Sequence, residues 1–265
     1  MTFAAVRRSL TVAAATLCLL TSCTTSRTHV RSIAELEEEL DRTPLVTHRP
    51  IAQIQALRPQ LSYPFRLGIA PPSLNEDLVL ELGRGGGVRE QWEPEEEAVL
   101  AAWVDRFRAA GLVSDVVLLS PVLMNSGPAN QTLLQRARSA GARQGVDAVL
   151  VTQSHSSVTS RSTPLSILDL TIVAGLVVPS HELESKSVIE AVLVDVRNEY
   201  VYLAGRGTSE HKRHAALFSL ESKARPLAED AHLAAVEDLS RELMEQAIQA
   251  GFESLRQGAG SRAAP

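Results

Sequence analysis

Apolar strand patterns that alternate with amphipathic helix patterns constrain the fold of this chain more than any other feature. Runs typical of strands occur at residues 65–72, 114–121 and 146–154. The first helix pattern between them repeats apolar residues at the i, i+3, i+4, i+7 spacing, namely Leu100, Trp103, Val104 and Phe107. A second helix pattern covers residues 130–145. Two consecutive strand–helix–strand units predict an α/β fold with parallel strands at its core.

The rest of the chain adds a hairpin and a long helix to this plan. Residues 187–207 alternate around a turn at Arg197, Asn198 and Glu199, which predicts a β-hairpin. An amphipathic pattern continues from about Pro226 to Leu255. We therefore expect one α/β domain with a mixed sheet, built from the two strand–helix–strand units plus the hairpin, and a long C-terminal helix.

The amino terminus has the layout of a secretory signal. Arg7 and Arg8 precede an uncharged apolar run, Leu10 to Leu20, which is too short to span a bilayer as a helix. The next residues, Leu20, Thr21, Ser22 and Cys23, resemble the lipobox of bacterial lipoproteins. This resemblance implies that Cys23 is lipidated on sulfur and becomes the first residue of the mature chain.

The two cysteines of the sequence are Cys18 and Cys23, and lipobox processing would give them different fates. Cys18 would leave with the signal peptide, so the mature chain would form no disulfide. More than one acyl chain on Cys23 would give stable membrane anchoring. Thr24 is not the acidic residue that resembles an inner-membrane retention signal. We therefore expect a lipid anchor in the outer membrane of a Gram-negative bacterium, with the protein facing the periplasm.

Changes in composition and residues that break regular structure divide the chain into four parts. Residues 1–22 are the expected lipoprotein signal peptide, and residues 23–50 are a tether with one short acidic helix. That helix begins with a capping-box pattern at Ser32 and Glu35. Residues 51–256 form the expected α/β domain, and residues 257–265 are expected to be a disordered tail.

The sequence contains no recognisable catalytic, cofactor or metal motif. With 26 basic and 31 acidic residues and no basic patch, the chain is not expected to bind nucleic acid. The Gly-rich stretch at residues 83–92 lacks the Walker spacing, so we interpret it as a plain loop. His211 and His214 have arginine and lysine between them and no evident third ligand, so we expect them in a solvated loop.

Three residues are weak candidates for a ligand site. The polar stretch at 153–163 is interpreted as a loop, and it precedes the apolar segment 165–178, whose only charged residue is Asp169. His155 and His181 flank this segment and would form a cluster with Asp169 if the fold brings them together. The apolar segment itself is either a buried helix or strand, or a surface that dips into lipid or a partner.

Part of the sequence resembles the rhombotarget lipoproteins, a family of Gram-negative envelope lipoproteins. The matching positions are Leu170, Thr171, Ile172, Val173, Val178, Pro179, Ala191, Asp195, Arg206, Gly207 and Ser209. Looser similarity extends over most of residues 65–255. Members of that family end with a Gly-rich motif, an apolar segment and a basic tail that a rhomboid-type protease cleaves. The residues after 257 lack the apolar segment, which puts C-terminal processing in doubt here.

These observations lead to a functional expectation and one alternative. We expect a non-enzymatic, lipid-anchored envelope lipoprotein that binds an envelope protein partner or supports assembly. The alternative is a small-ligand-binding protein or hydrolase that uses the polar stretch 153–163 beside the apolar segment 165–178.

Overall fold

The computed structural model describes residues 31–42, 45–46, 49–80, 83–128, 130–166, 176 and 178–261, of which 77–80, 83–86 and 250–261 are described by their backbone. The helices are α1 (Ile33–Asp41), α2 (Ile51–Ala56), α3 (Pro94–Ala109), α4 (Pro121–Met124), α5 (Leu133–Gln144) and α6 (Leu220–Ser261). The strands are β1 (Phe65–Ile69), β2 (Ser73–Leu80), β3 (Gly83–Arg89), β4 (Val113–Leu118), β5 (Ala148–Ser162), β6 (His181–Asp195) and β7 (Val201–Ala215).

All seven strands belong to one mixed sheet. Strands β4, β1 and β5 run parallel, which is the order that two strand–helix–strand units produce. The predicted hairpin is formed by β6 and β7, and β6 pairs antiparallel with β5. The predicted fold class is therefore confirmed. The antiparallel hairpin of β2 and β3, which follows β1 in the chain, was not expected.

Strands β1 and β2 lie one after the other along the same edge of β5. Ile69 of β1 is opposite Leu150, and Ser73 of β2 is opposite Gln153. The connection from β1 to β2 therefore has one residue more than the segment of β5 beside it. Pro71 and Pro72 lie in this break and donate no backbone hydrogen bond. The sheet divides here, because β4 pairs with β1 only and β3 with β2 only.

The β5, β6 and β7 strands form a long ribbon of 15 residues each. Ser162, His181 and Ala215 are neighbours across the strands at one end, which we call the distal end. Ala148 and Asp195 are neighbours at the other end, which we call the proximal end. At about 3.3 Å per residue, the two ends are about 46 Å apart.

Helices cover both faces of the sheet. Trp103 and Phe107 of α3 pack with Leu239 and Leu243 of α6 in the larger core. On the opposite face, α5 packs its small residues, such as Ala137, in a second core. Gly145 ends α5 in the left-handed conformation, with φ of 69°, that glycine adopts without strain.

Helix α1, which we assigned to the tether, packs on the sheet. Its capping box at Ser32 and Glu35 is present, as the sequence predicts. Leu36 and Leu40 are buried against Val188 of β6. The ion pairs of Arg206 with Glu37 and Asp41 hold the acidic face of the helix beside β7. The acidic face is therefore only partly solvated.

Three stretches that we interpreted as loops are strands. Residues 153–162 are the second half of β5, where their Ser and Thr side chains are mostly buried. Residues 83–89 form β3, and His211 and His214 lie on β7. Apolar alternation in the sequence does not indicate these strands, because their residues are polar. They are stabilised by pairing with neighbouring strands instead.

Helix α6 starts at Leu220, before the expected boundary at Pro226, and it extends to Ser261, past Leu255. The helix is 42 residues long, and its middle part packs Val236, Leu239 and Leu243 in the larger core. In the described part of the chain, no helix has the length and apolar character that crossing a membrane requires.

Candidate functional site

The predicted lipidation site lies outside the described residues. This applies to Cys23 and to the lipobox residues Leu20, Thr21 and Ser22. Asp169 also lies outside the described residues, so its predicted proximity to the two histidines stays a prediction.

The two described candidates, His155 and His181, do not converge. His181 is opposite Ser162, which is seven residues along β5 from His155, or about 23 Å. Because this separation is odd, the two side chains lie on opposite faces of the sheet. His155 Nε2 is 3.1 Å from Arg31 Nη1 on the α1 face. The predicted cluster is therefore not formed by these two residues.

A different polar cluster, which we did not predict, is buried between the sheet and helices α3 and α6. Its members are Ser156 of β5, Ser187 of β6, His232 of α6, Glu96 of α3 and Arg89 of β3. We call it the buried polar chain. Its residues span positions 89–232 and form no short motif, so no local sequence pattern indicates it.

The side chains of the buried polar chain follow one another at hydrogen-bonding distances. Ser156 Oγ is 2.8 Å from Ser187 Oγ, which is 3.2 Å from His232 Nδ1. His232 Nε2 lies 3.1 Å from Glu96 Oε1. Arg89 donates two hydrogen bonds to Glu96, of 2.9 Å and 2.6 Å.

Glu96 is the electrostatic centre of this chain. Burial alone would raise its pKa, but the side-chain contacts with His232 and Arg89 outweigh burial and lower the pKa to about 2. The carboxylate also accepts a 2.9 Å hydrogen bond from the backbone N–H of Glu93. Glu96 is therefore ionised at neutral pH, although its residue is only 3% exposed.

The order serine, histidine, carboxylate is the order of a hydrolytic triad, but the surroundings differ from those of an active site. Ser187, His232 and Glu96 are 0%, 2% and 3% exposed. Arg89 compensates the negative charge of Glu96, which would otherwise act on His232 alone. The arrangement joins three strands to two helices and carries no accessible nucleophile.

A polar cavity of about 250 Å³ lies on the outer side of Arg89. Its charged lining residues are Glu76, Arg89, Glu93, Arg225 and Glu229. Burial and the nearby carboxylates of Glu93 and Glu76 raise the pKa of Glu229. A small polar ligand would fit this cavity, which adjoins the polar stretch 153–163, because its lining residue Glu76 on β2 is opposite Ser156 on β5. No group of three or more described residues is arranged to hold a metal ion.

A second cavity opens where the sheet divides. The parallel strands β1 and β4 both end here, at Ile69 and Leu118, and crevices outside the carboxyl ends of parallel strands commonly bind ligands. The cavity has a volume of about 240 Å³, and its lining includes Ile69, Trp92, Leu118, Glu90 and Glu97. We call it the strand-end cleft. Its floor is apolar, and Glu90 and Glu97 at its rim are exposed.

No protein-family model matches the sequence, and no curated protein matches it either. Protein XCC0632 from Xanthomonas campestris, a DUF330 protein, is 14% identical with a TM-score of 0.34, over 75% of this chain and 94% of that chain. The LpoB C-terminal domain from Salmonella enterica is 10% identical with a TM-score of 0.27, over 56% and 84%. Lipoprotein GNA1162 from Neisseria meningitidis is 16% identical with a TM-score of 0.28, over 63% and 100%.

At these identities and TM-scores, the similarities define neither a family nor a function for this chain. The resemblance to the rhombotarget lipoproteins stays a prediction.

Proposed function

We propose that this protein is a non-enzymatic, lipid-anchored lipoprotein of the bacterial envelope that binds a protein partner through the strand-end cleft. The lipid on Cys23 would hold it in the outer membrane, facing the periplasm. The observation that carries the binding role is an apolar floor that is left open at the carboxyl ends of β1 and β4.

The chemistry of the cleft supports a protein segment as its ligand. Leu118 is 55% exposed, and Val122 beside the cleft is 77% exposed. Covering one such side chain stabilises a complex by roughly 1.5–3 kcal/mol. The carboxylates of Glu90 and Glu97 favour a basic residue next to the apolar one. A segment that carries an apolar side chain followed by lysine or arginine would satisfy both features.

The buried polar chain supports a non-enzymatic role. A serine nucleophile must reach its substrate, and Ser187 is fully buried within β6. Opening a path to it would separate helix α6 from the sheet.

Site-specific photocrosslinking in intact cells tests the binding role. p-Benzoylphenylalanine in place of Leu118 should give a discrete crosslinked adduct, and the same group in place of Ile54, which is 51% exposed on α2, should not. Reversing both rim charges, with Glu90→Lys and Glu97→Lys, should remove the adduct while the protein level stays the same. An adduct that persists after charge reversal, or that forms equally at position 54, would rule out the cleft as a specific site.

A serine hydrolase is the second candidate function, because Ser187 and His232 lie at hydrogen-bonding distance. A fluorophosphonate probe distinguishes it from the proposal. We expect no labelling of the native protein. Labelling that disappears in Ser187→Ala but not in Ser185→Ala would establish a hydrolase instead.

A further inference from the structure

Three large apolar side chains are exposed at the distal end of the sheet. Leu165, Leu176 and Phe218 are 49%, 59% and 58% exposed. We call these three residues the distal apolar surface. Exposed apolar residues are ordinary when they are scattered, but a group at one extremity marks a contact surface.

The strand register explains why these residues lie at the same extremity. Leu165 follows the end of β5 by three residues, Leu176 precedes the start of β6 by five, and Phe218 follows the end of β7 by three. The strand ends themselves are neighbours, because Ser162 pairs with His181 and His181 pairs with Ala215. The backbone N–H of Thr163 donates a 2.8 Å hydrogen bond to the carbonyl of Ser180, which joins the two ends of the segment that connects β5 to β6.

Helix α1 brings the amino-terminal side of the chain toward the same end. The carbonyl of Arg31, just before the helix, accepts a 3.2 Å hydrogen bond from Lys186. Asp41, at the end of the helix, pairs with Arg206 nearer the proximal end. Along β6, Lys186 is five residues from the distal end, or about 17 Å.

The chain length between Arg31 and Cys23 is sufficient to reach this end. Eight chain steps separate the two residues, and they span at most about 28 Å when extended. The proximal end, at Asp195, is nine residues from Lys186, or about 30 Å in the other direction. A lipid on Cys23 therefore reaches the plane of the distal end more readily than that of the proximal end.

We infer that the distal apolar surface is a second membrane contact, which inserts Leu165, Leu176 and Phe218 into the lipid headgroup region beside the anchored Cys23. This inference rests on the lipid anchor of the proposed function. Two basic residues near this end are paired with carboxylates, Lys212 with Glu210 at 3.0 Å and Arg213 with Asp230 at 3.3 Å. The three inserted side chains are apolar, so the contact itself should depend little on salt.

Fluorophore labelling of the lipid-anchored full chain tests this inference. Lipidation of Cys23 would leave no free thiol in the mature protein, so Leu165→Cys, Leu176→Cys or Phe218→Cys each accepts one nitrobenzoxadiazole label. Ile54→Cys, on a residue that is 51% exposed on α2, is the control. The proteins are reconstituted in vesicles of phosphatidylethanolamine and phosphatidylglycerol, with or without doxyl-labelled lipid. Mass spectrometry of the same samples reports the state of Cys23.

The inference expects a blue shift of the emission and strong quenching by doxyl lipid at all three distal positions, in low and high salt, with no change at position 54. A lipidated protein without these responses overturns the inference and leaves the anchor intact. Equal responses at position 54, or responses that require added envelope proteins, also overturn it. Distal responses together with an unmodified Cys23 would support the second contact and contradict the proposed anchor.

Discussion

At the scale of single residues, Glu96 determines how three strands and two helices are joined. One carboxylate receives hydrogen bonds from Arg89 and faces His232, and all three groups are largely removed from water. A buried carboxylate stabilises the fold mainly by compensating the positive charge of its partner. Loss of the Glu96 carboxylate would therefore leave the charge of Arg89 unpaired.

We predict that Glu96→Gln lowers the free energy of unfolding by about 3 kcal/mol, because Arg89 loses its buried counter-charge. Urea unfolding monitored by circular dichroism measures this change. The matched control is Glu95→Gln, on the exposed side of α3, which should change stability by less than about 0.5 kcal/mol. Equal midpoints for the two variants would contradict a central role for Glu96.

The depressed pKa of Glu96 also predicts a pH dependence. Its pKa falls from 4.5 to about 2 on folding, so its contribution is complete above about pH 4.5 and is lost as the pH falls toward 2. The stability difference between the native protein and Glu96→Gln should therefore shrink over this range. Unfolding curves at a series of pH values measure it, and a constant difference from pH 7 to pH 2 would contradict the assignment.

At the scale of elements, helix α6 protects the outer edge of β7. The backbone N–H groups of Arg206 and Thr208 donate hydrogen bonds of 3.2 Å to Glu242 and Asp238 of the helix. These bonds satisfy edge groups that could otherwise pair with another chain. Gly207 between them lets the helix backbone approach the strand directly.

We predict that Gly207→Ala destabilises the protein by about 3 kcal/mol through overpacking. A Cβ at this position would overlap the carbonyl oxygen of Ala235 and lie 2.7 Å from the backbone nitrogen of Leu239. Neither backbone atom can move without shifting α6. Gly87→Ala is the control, since a Cβ there meets nothing within 4 Å. Thermal unfolding compares the two, and similar melting temperatures would refute the close approach.

Helix α1 offers a second test at this scale. Leu36 is fully buried against the sheet, so Leu36→Ala should cost about 3 kcal/mol of unfolding free energy. It should also increase tryptic cleavage after Arg42, which ends the helix. Ala34→Ser, on the exposed face, should leave both measurements unchanged. An unaltered cleavage rate in Leu36→Ala would mean that α1 is held by its ion pairs alone.

At the scale of the whole molecule, the distal apolar surface and the strand-end cleft lie at separate parts of the long sheet. The cleft lies near Leu150 of β5, 12 residues or about 40 Å from the distal end. With the distal end at the membrane, the cleft would lie well away from the lipid surface, where a partner in the periplasm could reach it.

The anchor itself gives the prediction at this scale. We expect the native protein to incorporate labelled palmitate and to fractionate with outer membranes, and Cys23→Ala to lose the label and most of the membrane association. A single change of thiol to methyl removes the site of acylation, whereas Cys18→Ala should have no effect on either measurement. Membrane fractionation without palmitate in the native protein would disprove the anchor.

The sequence by itself determined the fold class of this protein, because apolar periodicity reports the elements that face a core. The helix patterns at Trp103 and Phe107 and the hairpin turn at Asn198 identified their elements directly. The capping box of Ser32 and Glu35 likewise gave the start of α1, because all its interactions lie within four residues.

Only the tertiary structure decided the strand character of residues 153–162 and the composition of the buried polar chain. A Ser-rich strand is stabilised by neighbours on either side, here β2 and β6, and these lie far away in the sequence. In the same way, Glu96, Ser187 and His232 come from three separate elements, and no local pattern records that they meet. Local periodicity is encoded over a few residues, whereas pairing and convergence depend on contacts between distant segments that form only when the chain folds.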